Sequence, residues 1–202
     1  EVTKTFEKAK DVVGLKIVSY GVGGISSINH DLKKMYFKDF NLLRLIMLIG
    51  IFILMCIISR SLINALFMVG TIMLDYYLAL SITELIFKNI LKYEALNWSV
   101  AFFSFTMLLT LGIDYSVFLL RRFYEYKDLE NTDALKLTSA NIGHVITSAA
   151  IILAGTFAAM IPSGILSLIE VSTCVVIGLI LLAFGLLPLM FNALLSIKKN
   201  IL

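Results

Sequence analysis

Charge is scarce in this chain. Only 15% of its 202 residues are Asp, Glu, Lys or Arg, against about 25% in a soluble globular domain. A chain so poor in polar side chains cannot coat a globule of this size, which excludes a soluble domain, a disordered tail and a collagen-like repeat. Cysteine is nearly missing as well: Cys56 and Cys174 stand far apart inside apolar runs. That spacing excludes a disulfide-rich secreted module and offers neither a metal-site pattern nor a CxxC pair, so no metal and no cofactor are expected. Basic residues exceed acidic ones by three charges but gather into no single patch, so no nucleic-acid partner is expected. Over residues 1–40 no apolar core follows a basic start, so there is no signal-peptide pattern. The chain opens on Glu1, and the expectation is that it is a portion of a longer polypeptide.

What is abundant is apolar surface. Hydrophobic residues make up 59% of the chain and the mean hydropathy is +0.94. These values describe an integral membrane protein whose surroundings are membrane lipids.

In residues 1–40, Val2, Phe6, Ala9 and Val13 recur at helical spacing, as on a surface helix. Leu15 to Tyr20 reads as a short strand, stopped by Gly21-Val22-Gly23-Gly24. Ser26 or Ser27 can cap a helix through Asp31 to Phe40. This stretch reads as the end of an α+β extracytoplasmic domain and the helix joining it to the membrane. Five long apolar runs follow, at 41–59, 61–87, 98–120, 139–161 and 166–195, each near the roughly 20 residues that span a bilayer. Residues 198–202 form a tail. The fold class is therefore an all-α membrane protein, a five-helix transmembrane bundle over 41–197. Ala150, Ala154 and Ala158, with Gly155 alongside, form a row of small residues that lets helices pack closely in lipid.

Alternating passes put the Arg60 turn, the charged 121–138 stretch and the C-terminal tail on one side. These hold Arg60, Arg121, Arg122, Lys127, Lys136, Lys198 and Lys199, whereas the opposite loops hold only Lys88 and Lys92. The excess of Lys and Arg marks the first side as cytoplasmic. The N-terminal segment then lies outside the cell membrane, with Tyr93 and Trp98 at the outer interface.

Carboxylates are costly in such runs, about 2.5–3.5 kcal/mol at a helix centre on insertion scales. Asp114 lies in MLLTLGIDYSVFLL, seven residues before Arg121, so roughly 10 Å from the cytoplasmic end of its run. Its short side chain cannot reach water from there. It needs a protein interior, a partner charge or a water-filled path, and in such a setting can load and release protons near neutral pH. The alternative is a structural Asp bonding across helices. Tyr115 adds a hydroxyl, and Gly112 admits a neighbouring helix. Asp75 can line a pathway as an additional relay, but Tyr76 and Tyr77 beside it favour a span bending into an interfacial segment. Glu170 follows the Pro162–Gly164 turn, so an interfacial position is favoured over a pathway role there too. His144, near a helix start, reads as interfacial.

The stretch Gly112-Ile113-Asp114-Tyr115-Ser116-Val117-Phe118-Leu119-Leu120-Arg121-Arg122-Phe123-Tyr124-Glu125 resembles the G-x-D-Y-s-x-F-l-x-x-R-x-x-E signature of the MMPL branch of the RND superfamily. Leu96 to Phe102 resembles the opening of the same helix in that family's second repeat, and Gly143 to Ala150 the start of the next helix. Gly23-Gly24, Asp31 and Asp39 are similar to the junction where the family's porter domain returns to the membrane. Tyr126 departs from the pattern, since members often carry a second acidic residue there, and Asp75 belongs to no pattern of the family.

The resemblance implies a proton-driven exporter of lipids or other hydrophobic molecules in the bacterial cell membrane, built from two repeats of six helices. This chain then supplies the last five helices of one repeat, the C-terminal one, after the tail of a porter domain. It implies that Asp114 and Tyr115 form one half of a proton relay. The other half would come from a missing N-terminal repeat of the same polypeptide or from a second subunit. Arg122 and Glu125 would anchor the cytoplasmic end of the motif. The competing expectation is a non-transporting RND-like scaffold or accessory subunit. No intramembrane HExxH, Ser-His pair or GxGD motif is present, so an enzyme is not expected.

Overall fold

A computed structural model of the chain describes the backbone of residues 25–93, 95–126 and 131–186. Continuous apolar sequence leaves the backbone no water to bond, so its polar groups are satisfied internally as helix. Helix α1 spans Ile25–Ser59, α2 Leu62–Leu85, α3 Trp98–Glu125, α4 Asn131–Ala158 and α5 Leu166–Ile180. π-helical turns extend α2 over Ile86–Ile90 and α5 over Leu181–Leu186, and a short 3-10 turn, Ile161–Ser163, precedes α5. No strand occurs among the described residues. The strand and first helix expected within residues 1–20, and the tail at 198–202, lie outside them.

Among the described residues, five stretches are long and apolar enough to cross a bilayer: Asp39–Ser59, Leu62–Ile90, Trp98–Arg122, Gly143–Ser163 and Leu166–Gly185. The charged region expected as a loop over 121–136 is shorter than that. Helix α3 runs through Glu125 and α4 begins at Asn131, because charged residues with good helix propensity do not by themselves end a helix.

The chain divides into two compact units, Glu1–Arg44 and Leu45–Leu202. Within the first, Arg44 donates to Asn41 Oδ1 at 3.2 Å and lies over the Phe40 ring. The second unit has an inner trio. Half of the α3 span and 44% of the α5 span are buried inside the protein, against 11% for α4. Helices α2, α3 and α5 pack on one another, and α4 lies against α3 and α5.

Close approach in the trio depends on two glycines. A Cβ at Gly178 of α5 would collide with the methyl groups of fully buried Leu108, and one at Gly112 of α3 would sit 2.9 Å from Ile72 Cγ1. Tyr76 of α2 meets Phe105 of α3 edge to face, centroids 5.2 Å apart, and its hydroxyl donates to the Ala101 carbonyl at 3.2 Å. In the small-residue row of α4, Ala150 is buried, Ala154 and Ala158 are half-buried, and Gly155 is exposed.

Turns are set by local bonding. Between α1 and α2 the Ser59 hydroxyl donates to the Ser61 carbonyl at 2.9 Å, with Arg60 at φ 50°. After α2, Lys92 at φ 62° occupies the left-handed position that ends a helix. There the Tyr93 N–H reaches back to the Phe87 carbonyl at 3.0 Å and the two rings meet at 6.0 Å.

Candidate functional site

Helix α3 has two faces. Val100, Ser104, Phe105, Leu108, Leu109, Gly112, Tyr115, Ser116, Leu119 and Leu120 are buried. Phe103, Met107, Thr110, Asp114 and Phe118 are exposed, at spacings of four, three, four and four residues, a single stripe along the helix. Asp114 thus lies on the outer surface of the bundle, eight residues, or about 12 Å, from Arg122 along the axis. Its neighbour Tyr115 points inward. The Tyr115 hydroxyl and the Ser116 hydroxyl are buried without a hydrogen-bond partner among the described residues. Asp114 and Tyr115 are therefore adjacent in sequence but face different surroundings.

The motif's far end forms a local network. Arg122 and Glu125 make an ion pair across three residues, and the Arg122 guanidinium lies 5.4 Å from the Tyr126 ring centroid. Asn141 of α4 donates to the Tyr126 hydroxyl at 2.9 Å, and the Tyr124 hydroxyl donates to the Ser59 carbonyl at 2.6 Å. These bonds tie the end of α3 to α4 and to the turn between α1 and α2.

The two remaining carboxyls correct the favoured sequence reading. Asp75 does not sit on an interfacial bend: α2 continues unbroken to Leu85, and Asp75 is completely buried. Met68, Ile72, Asp75, Ala79 and Thr83 share one buried face of α2, so helical register turns Asp75 into the trio, and Tyr76 is held there too by its bond to Ala101. Both Asp75 carboxylate oxygens lack a hydrogen-bond partner among the described residues. Glu170 lies near the start of α5, as expected from the turn, but it is completely buried rather than bathed in water. Its Oε2 accepts the Asn97 N–H at 3.0 Å, and Asn97 Nδ2 donates to Ser167 Oγ at 3.0 Å. Glu170 thereby fastens the start of α3 to the start of α5.

Three further residues, Cys174, Ser104 and Thr83, were given no site role in the sequence reading. Cys174 of α5 is buried beside Ser104 of α3 and Thr83 of α2. The periodic signal was present, since Thr83 lies two turns beyond Asp75 on the same face of α2. Pairing that face with Ser104 and Cys174 required the tertiary packing. His144 is exposed on α4. No cluster of three or more His, Cys, Asp or Glu side chains with metal-site geometry occurs among the described residues.

Five apolar helices, an inner trio and carboxyls within the spans define a helical, multi-pass membrane protein. The chain belongs to the MMPL family, whose sequence profile matches residues 1–199. It is similar to the membrane protein YdgH of Bacillus subtilis, 42% identical over 97% of this chain and 22% of that protein. The apo-petrobactin exporter of Bacillus anthracis is 28% identical over 85% of this chain and 23% of its own length. A Mycobacterium tuberculosis protein named "Probable transport protein MmpL12" is 24% identical over 91% of this chain and 16% of its own length. The chain spans less than a quarter of the length of these relatives.

Proposed function

We propose that this chain is part of the membrane domain of an exporter that uses the proton-motive force to move lipids or other hydrophobic compounds out of a bacterial cell, with Asp114 as the proton carrier. The observation that carries the reading is the position of Asp114: mid-helix, inside a membrane span, and on the surface of the bundle. A carboxylate is not stable against lipid, so that stripe of α3 requires a polar partner surface. A second Asp-Tyr pair, from another part of the same polypeptide or from a second subunit, meets the requirement. Membership of the MMPL family and a relative named as an apo-petrobactin exporter support export as the activity.

In this reading the Arg60 end of the bundle is cytoplasmic and the Asn97 end faces outward, as the distribution of Lys and Arg favours. Asp114 alternates between neutral and charged states as protons pass inward. Tyr115 relays the proton, with its hydroxyl on the buried side of the same helix. Each change of charge alters the partner Asp114 prefers, which biases two arrangements of the membrane domain. Gly112 keeps α3 close to α2 at the level of the relay, and the Arg122–Glu125 pair holds the cytoplasmic end of α3.

The test is proton-gradient-driven efflux of a fluorescent lipid from proteoliposomes containing the full-length protein, compared with Asp114→Asn. Loss of efflux in a correctly folded mutant supports the reading. Undiminished efflux removes Asp114 as the carrier. Absence of efflux from both proteins favours a scaffold role for the bundle.

A further inference from the structure

The interior of the trio holds a second ionisable group that the relay does not use. Asp75 is completely buried, with both carboxylate oxygens lacking a hydrogen-bond partner among the described residues, and the Ser104 hydroxyl is buried as well. The Cys174 thiol lies beside Ser104 and Thr83. Three helices therefore contribute polar atoms to one enclosed region otherwise packed with Ile72, Phe105, Leu108 and Leu179. An ionised carboxylate enclosed without donors or a counter-charge is strongly disfavoured.

The polar groups buried on the three packed helices bear on what Asp75 binds. From α2, Tyr76 commits its hydroxyl to Ala101 and Thr83 commits its own to the Ala79 carbonyl. From α3 the contribution is Ser104, while the basic residues of that helix, Arg121 and Arg122, lie some 17 residues away, about 25 Å along the axis. From α5 comes Cys174, with Glu170 one turn closer to the Asn97 end on the same helical face. The turn Leu181–Leu186 brings no ionisable group. A hard metal cation needs several oxygen ligands, and a thiol is a soft one. The occupant this chemistry suits is a proton.

We infer that Asp75 is a reversible proton-binding site enclosed within α2, α3 and α5, separate from Asp114. Tyr76 stacks on Phe105, nine residues before Asp114 on α3. Ile72, one turn earlier on α2, lies against Gly112, so the site lies nearer the Asn97 end of the bundle than Asp114 does. It faces the inside of the bundle, whereas Asp114 faces out. Its participation in transport rests on the exporter reading above, but its proton occupancy is measurable without transport.

The experiment is infrared spectroscopy of the full-length protein in lipid, following the C=O stretch of protonated carboxyls in H2O and D2O across about pH 5 to pH 10. Subtracting Asp75→Asn isolates the contribution of Asp75. The expected result is a band that falls about tenfold for each pH unit above its midpoint and persists in Asp114→Asn. Asp75→Glu is expected to retain the band at a shifted frequency, which separates loss of the carboxyl from misfolding. The proposal is overturned by a carboxylate that stays ionised at every pH, or by an acid band that never titrates. It is equally overturned if Asp114→Asn abolishes the titration. Failed efflux with a titrating Asp75 would count against the exporter reading and leave this site standing.

Discussion

Gly178 and Leu108 show how closely single residues are matched in the inner trio. Leu108 has no exposed surface, and its methyl groups occupy the space a Cβ at Gly178 would need. Gly178→Ala is therefore expected to destabilise the protein by about 1–3 kcal/mol through overpacking, visible as a lower thermal midpoint in detergent. Leu108→Ala removes the clash but leaves a cavity of its own, so the double variant should lose less than the sum of the two single losses. Lys92 presents the opposite case, a side-chain-bearing residue at φ 62°. Lys92→Gly relieves the left-handed strain and is expected to stabilise by about 1 kcal/mol; an unchanged or lower midpoint would sink that account.

Among the helices, α3 and α5 depend on Glu170 at their shared end. Its Oε2 satisfies the Asn97 N–H, a group ahead of the first turn of α3 with no carbonyl of that helix to bond. Glu170→Ala should cost about 1–3 kcal/mol and speed amide hydrogen exchange over residues 97–101. Glu170→Gln keeps an acceptor and should have a smaller effect; equal effects would mean that charge, not the hydrogen bond, matters there. The existence of the five helices was legible in the sequence because apolar length alone decides it. Their faces were less legible. Tyr76 and Tyr77 made Asp75 look interfacial, whereas the register shared by Met68, Ile72, Asp75, Ala79 and Thr83 turns it inward. For Asp114 the motif was plain in the sequence, but its exposure depends on which neighbours α3 packs against, and no local pattern encodes that.

For the molecule as a whole, the orientation proposed from the Lys and Arg balance is open to direct test. In a chain with Cys56→Ala and Cys174→Ala, single cysteines are placed at Asn89 and at Leu137, both exposed and at opposite ends of the bundle. A membrane-impermeant maleimide added to intact cells should label Asn89→Cys and reach Leu137→Cys only after the membrane is opened. The reverse pattern would invert the topology. The described unit from Leu45 onward is also uneven in its tolerance of change. Ile151 and Ile152 of α4 lie open, so exchanges among Ile, Leu and Val there should pass unnoticed where the same exchanges at Leu108 or Leu179 would not.

The outward stripe of α3 has a consequence for how the protein is made. A ribosome delivers helices to the membrane one after another, and Asp114 is left on the outside of the bundle that carries it. Until a complementary surface arrives, an acidic side chain stands where lipid would otherwise be, a condition the bilayer tolerates poorly. If the proposed partner surface exists, the carboxyl marks unfinished assembly, and quality-control machinery that surveys the membrane for exposed polar groups would find this bundle whenever that partner is late.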